Sequence, residues 1–142
     1  KNVQGNAFFS AKWFVNKNQN VVHLLMENQY KYPALPYAVP NSKKTVIDSP
    51  TIDKVEKDTA NSCFSIKYPL NSKVRYIMVY RAKKAAKIDT NDPSQIIDKI
   101  NLAPKSDTIL VNIPMKNGEK NSPCAFTFVD FYGNESTPTL IN

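Results

Sequence analysis

The chain has little glycine, histidine, cysteine or arginine, and each shortage removes a class of explanation. Only 3 of its 142 residues are glycine, while 10 are proline. Prolines scattered at intervals punctuate strands and loops and forbid long helices, so the imbalance favours an all-β body. His23 is the only histidine, and the 2 cysteines, Cys63 and Cys124, have no zinc-ligand spacing and cannot make a disulfide framework. No metal and no cofactor is expected. No apolar run approaches the ~20 residues that a membrane helix needs. The first residues, Lys1-Asn2-Val3-Gln4-Gly5, lack the apolar stretch and small-residue cleavage site of a signal peptide. The expectation is a mature protein or a piece cut from a longer one.

Arginine is scarce in a chain that is nevertheless basic. The formal net charge is +7, yet only Arg75 and Arg81 carry a guanidinium, the group that base and phosphate recognition favours. The charge is also uneven. Residues 1–45 hold Lys1, Lys12, Lys17, Lys31, Lys43 and Lys44 against the single acid Glu27, which leaves only +2 for residues 46–142. Nucleic acid is not an expected partner. What the chain does have is a hydrophobic share of 42% and an aromatic share of 11%, enough for one domain core of ordinary size, with a mean hydropathy of -0.43 that points to a soluble chain.

Composition divides the chain near residues 38–50, where Ala38-Val39-Pro40-Asn41-Ser42-Lys43-Lys44 and then Ser49-Pro50 interrupt any periodic pattern and read as a linker. Before it, Ala7-Phe8-Phe9-Ser10 suits a short buried strand. A helix follows, capped by Asn18 or Asn20, with Val21, Val22, Leu24, Leu25 and Met26 as its apolar face and an end before Tyr30-Lys31-Tyr32-Pro33. After the linker, strand-length runs alternate with turn signals: residues 51–55, 63–68, 74–81, 108–111, 124–129 and a last strand around 139–141. Asp92-Pro93, a cap followed by proline at the first position, predicts a short helical turn within residues 92–100. Six or seven strands in about a hundred residues suit a single immunoglobulin-like or fibronectin-like antiparallel sandwich.

Two stretches carry a resemblance. Arg75-Tyr76-Ile77-Met78-Val79-Tyr80-Arg81 and Phe126-Thr127-Phe128-Val129-Asp130-Phe131-Tyr132-Gly133-Asn134-Glu135-Ser136 resemble the central strand, penultimate strand and final turn of a fibronectin type III module, of the kind attached to bacterial carbohydrate-active enzymes. Upstream, Gly5-Asn6-Ala7-Phe8-Phe9-Ser10-Ala11-Lys12 and Tyr30-Lys31-Tyr32-Pro33-Ala34-Leu35-Pro36 resemble the last strand, last helix and exit segment of glycosyl-hydrolase-family-10-like barrel proteins, secreted or lipoprotein products of Bacteroides-type bacteria. The resemblance implies that residues 1–45 are the end of a (β/α) barrel with its linker, that 46–142 are a fibronectin type III-like sandwich, and that the parent is extracytoplasmic. Its catalytic barrel would be the natural partner of the sandwich.

Glycoside cleavage normally needs two carboxyl groups roughly 5–10 Å apart across a sugar bond. Asp89 and Asp92 flank a loop, Asp48, Asp53 and Asp58 sit near a strand edge, and Glu135 belongs to a turn, so no catalytic residue is assigned. His23 lies within an apolar helical pattern and reads as a packing or surface residue. Period-two alternation turns Phe64, Ile66 and Tyr68 inward and Cys63 outward, while Cys124, Phe126 and Phe128 face in. The cysteines therefore read as two free thiols. Asn134-Glu135-Ser136 is formally a glycosylation acceptor, but Gly133-Asn134 is better explained as a turn between the last two strands. Aromatic rings stack on the apolar faces of sugars, so Trp13, Tyr30, Tyr32, Tyr37, Phe131 and Tyr132 are candidate sugar or interface contacts. Ser10 joins them, because barrel active sites lie at the carboxyl ends of strands.

The expectation is a noncatalytic accessory sandwich that packs against or spaces a barrel. A carbohydrate-binding module and a protein-interaction or adhesion domain are the alternatives. Polysaccharide is then a candidate partner, and the helix of residues 1–45 is expected to lie against its own sandwich, with self-association through residues 1–45 hiding whatever apolar surface remains.

Overall fold

The computed structural model describes residues 19–28, 30–40, 44–57, 61–68, 73–82, 87–102, 107–114 and 122–141. The chain forms two compact units that divide between Ala34 and Leu35. In the first, helix α1 runs from Gln19 to Asn28. It closes by hydrogen bonds from Tyr30 N to Leu25 O at 2.8 Å and from Asn28 Nδ2 to Leu24 O at 2.9 Å. Val22, Leu24 and Met26 of its apolar pattern are exposed. The strand expected at residues 7–10 lies outside the described residues.

The second unit is built from strands β1 (Thr51–Lys57), β2 (Asn61–Lys67), β3 (Val74–Arg81), β4 (Ile96–Asn101), β5 (Thr108–Pro114), β6 (Cys124–Asp130) and β7 (Thr139–Ile141). They form two antiparallel sheets, one in the order β1-β2-β5 and one in the order β4-β3-β6-β7. This is the expected all-β sandwich. A constant-type immunoglobulin domain places its fourth strand in the sheet of the first, second and fifth. Here β4 pairs with β3 instead.

The reason for each face can be read residue by residue. Phe64 and Ile66 of β2, Val111 and Ile113 of β5, Ile77 and Val79 of β3, and Cys124, Phe126 and Phe128 of β6 form one buried cluster between the sheets. Phe64 and Phe126 meet edge to face, centroids 5.2 Å apart at 60°, a geometry the ring quadrupole favours. Cys63 is half-buried, Cys124 is buried, and both are free thiols, as the alternation implied.

The remaining residues of β3 and β6 do not face water. Tyr76, Met78 and Tyr80 alternate with the core residues of β3, Ala125 and Val129 with those of β6, and together with Ile96 they form a second buried cluster. The four-stranded sheet is therefore covered on its outer side too. Leu35 and Ile88 pack against that cluster. Residues 35–40 and 44–50, parts of what the sequence presents as exit segment and linker, have contacts with the sandwich. Ile47 packs on the inter-sheet core, Pro50 O accepts from Thr139 Oγ1 at 2.7 Å, and Ser49 Oγ lies 2.5 Å from Thr137 Oγ1.

One expectation is corrected. The helical turn is confined to a 3-10 turn at Pro93–Gln95, where Asp92 Oδ1 accepts from Ser94 N. From Ile96 onward the chain is strand β4, paired with β3 from Tyr80↔Ile96 to Tyr76↔Asn101. The isoleucines at 96, 97 and 100 fit helical spacing in the sequence. Burial of Ile96 in the outer cluster and ladder pairing, both favourable for β-branched side chains, draw the segment into the sheet instead.

Candidate functional site

The most specialised surface of the sandwich unit surrounds the turn that follows β6. Asp130, 1% exposed, organises it. Oδ1 accepts from Tyr132 N and Asn134 N, each at 2.8 Å, and Oδ2 from Asn134 Nδ2 at 2.9 Å. A carboxylate leaves water at a large cost unless hydrogen bonds replace its hydration, and these three donors do so. Asp130 N donates to Asn134 O at 3.0 Å and Gly133 N to Asp130 O at 3.3 Å, closing a turn in which Gly133 has φ 79°.

The strap at residues 35–40 crosses this turn. Val39 N donates to Tyr132 O at 2.8 Å. A Cβ on Gly133 would overlap the Tyr37 carbonyl oxygen and come within 2.6 Å of its carbon. Glycine is required here both for its positive φ and for the close approach of a second backbone. The turn and strap together hold three rings in solvent: Tyr37 at 59% exposure, Phe131 at 64% and Tyr132 at 47%. The Arg75 guanidinium stands 6.0 Å from the Phe131 ring centroid, within cation–π range.

Beneath the outer side of the sheet, Glu135 Oε1 accepts from Tyr80 Oη at 2.7 Å and from Thr127 Oγ1 at 2.5 Å. Tyr80 and Thr127 are fully buried. Burial, and then the bond to Glu135, push the Tyr80 phenol well above its ordinary value. Burial also raises the Tyr76 phenol. Ser136 completes the region: its Oγ accepts from Phe128 N at 2.9 Å and donates to Thr137 O at 3.0 Å.

The structure distributes the sequence candidates unevenly. The Tyr37 backbone lies on Gly133, so Tyr37 shares the turn region with Phe131 and Tyr132. Tyr30 and Tyr32 are exposed in the first unit, where Lys31 Nζ lies 5.4 Å from the Tyr32 ring centroid. Ser10, Trp13 and Asp58 lie outside the described residues. His23 is exposed, its Nδ1 3.3 Å from Glu27 Oε2 one helical turn on. Asp53 pairs with Lys67 at 3.2 Å. Asp89 Oδ1 accepts from Asn91 N at 2.9 Å. Bonds from the Ser94 hydroxyl and backbone hold the Asp92 carboxyl below its ordinary value. Asp48 borders a cleft of about 400 Å³ together with Val46, Ile47, Lys67, Lys73 and Phe128.

Sequence reasoning passed over Arg75, and it passed over the convergence of Tyr80 and Thr127 on Glu135. The signal for the latter was period two: residues 125, 127 and 129 share the outer side of β6, and a threonine among apolar neighbours needs an acceptor. Chemically, the turn offers apolar ring faces with phenol and guanidinium rims. Comparison with protein-family models, with curated proteins and with solved structures finds no match.

Proposed function

We propose that the chain is a noncatalytic accessory module of a secreted glycoside-hydrolase-like protein, a fibronectin type III-like sandwich whose work is to pack against or space a catalytic barrel. The parent and its extracytoplasmic place rest on the sequence resemblance at residues 5–12 and 30–36. The movement of β4 to the side of β3 supports the fibronectin-like reading over a constant-type immunoglobulin one. The observation that carries the proposal is the strap: Leu35 packs on the buried cluster at the outer side of the four-stranded sheet, and the chain from Tyr37 to Val39 crosses the Gly133 turn. A module built in this way fixes the point at which the preceding chain joins it, which suits a spacer.

The three exposed rings of the turn and strap favour a second reading, carbohydrate binding. Rings held by a closed turn lose little freedom when they stack on a ligand. Affinity electrophoresis of the full chain through gels containing soluble polysaccharides separates the two readings. The spacer reading expects unchanged mobility and no turnover of aryl glycosides. Retardation that disappears in Tyr37→Ala and Tyr132→Ala would replace it with the second reading.

A further inference from the structure

Among the described residues the two sheets have four edge strands, β1, β5, β4 and β7, and an edge with unpaired backbone groups is a template for another strand. Three of the four carry the protections that edges ordinarily have. The sequence of β1, TIDKVEK, holds four charged residues, and its register shifts between Lys54 and Glu56. β4 contains Asp98 and Lys99, and its pairing shifts between Val79 and Tyr80. β7 is 3 residues long and follows Pro138.

β5 has none of these within its own sequence, and the Arg81 guanidinium, which donates to Pro114 O at 3.1 Å, guards only its last residue. Its sequence, TILVNIP, is uncharged, it pairs with β2 in unbroken register from Lys67↔Thr108 to Asn61↔Pro114, and its one proline stands at its end. Ile109, Val111 and Ile113 share one side of the strand, with Val111 and Ile113 buried in the inter-sheet core, while Leu110 on the other side is 64% exposed.

We propose that β5 pairs antiparallel with β5 of a second copy of this chain, joining two three-stranded sheets into one of six strands. The strand is complementary to itself. A two-fold axis at Val111 sets Ile109 opposite Ile113 and Leu110 opposite Asn112, so no charge meets a like charge and the apolar inner sides of both sheets run on into each other. Charge selects this edge: two chains of net charge +7 repel, and the uncharged strand is where they approach at least cost. Seven residues span roughly 24 Å and a sheet is about 10 Å thick. The shared strip is about 240 Å² on each copy, far below the ~800 Å² per partner of a standard interface. The dimer is therefore weak, and salt that screens the net charge strengthens it.

Sedimentation equilibrium of the full chain over a rising concentration series tests this. The weight-average mass climbs from 16.0 kDa toward twice that value, and climbs further at high salt. Leu110→Lys, at a position the core does not use, holds it at the monomer value at every concentration. A Leu24→Lys/Met26→Lys variant, altered on α1, dimerises like the native chain. Hydrogen exchange gives a readout that does not depend on any variant: the alternate amides of residues 109–113 that do not bond β2 gain protection as the native chain dimerises. A native chain that stays at 16.0 kDa throughout, association that survives Leu110→Lys, association lost only in the α1 variant, or protection gained elsewhere and not in β5 would each overturn the proposal.

Discussion

Replacing Gly133 with alanine tests how firmly the strap is held. An L-residue in the left-handed region costs roughly 1–2 kcal/mol, and Gly133 has φ 79°. The methyl would also overlap the Tyr37 carbonyl, and because the obstacle is backbone, the strap must lift as a whole. Lifting it breaks the bond from Val39 N to Tyr132 O, worth about 0.5–1.5 kcal/mol. It also uncovers part of Leu35, for which about 1 kcal/mol is a fair share of the ~1.5–3 kcal/mol for a fully buried side chain. The sum is about 2.5–4.5 kcal/mol, or a fall in Tm of about 10–20 °C for a unit of this size. Urea unfolding followed by circular dichroism reads it directly. Asparagine separates the two causes, since it tolerates the left-handed region yet still places a Cβ against Tyr37. Gly133→Asn should therefore retain about 2 kcal/mol of the loss. If Gly133→Asn unfolds within ~0.5 kcal/mol of the native chain, the strap is not pressed on the turn and the reasoning fails.

Tyr80→Phe removes a bond from a buried phenol to the half-buried Glu135 carboxylate and should cost about 1.5–3 kcal/mol. Glu135→Ala should cost more, because it leaves both the Tyr80 and the Thr127 hydroxyl without this acceptor. The raised Tyr80 phenol has a pH signature of its own: the folded state holds that proton more tightly than the unfolded state, whose value lies near 10.0. Its contribution to stability is therefore complete below about pH 10 and is lost as pH rises beyond it. Urea midpoints should fall above that pH in the native chain and fall less steeply in Tyr80→Phe. Under native conditions a thiol reagent should modify half-buried Cys63 well before buried Cys124, and a single fast phase for both would contradict the burial described.

The inter-sheet core was legible because Cys63-Phe64-Ser65-Ile66 in β2 alternates polar with apolar, as half-buried strands do. The gain of β4 was not legible, since Asp92-Pro93 is a genuine cap and the isoleucines behind it suit either period. The unbroken run Tyr76-Ile77-Met78-Val79-Tyr80 did carry a hint, for strands covered on both sides lose their alternation. What covers the outer side could not be read. Pro33, Pro36 and Pro40 give residues 35–40 the look of a linker, and their docking depends on partners at 125–133 that no local pattern connects to them. For the same reason Tyr37 and Tyr132 looked like separate candidates, although they share the turn region at Gly133.

The strap also bears on the order of events during synthesis. Residues 35–39 leave the ribosome early, but the turn they cross follows roughly a hundred residues later, some 5–20 s at ordinary elongation rates. In that interval Tyr76, Met78 and Tyr80 can form their strand with Ile88 as cover but before the strap is pinned across the turn, and closing so long a loop is entropically slow. The last step of folding thus joins nearly opposite ends of the sandwich unit. A chain that stalls or is cut before residue 133 exposes an apolar sheet surface to its neighbours, so truncated products should aggregate where the complete chain does not.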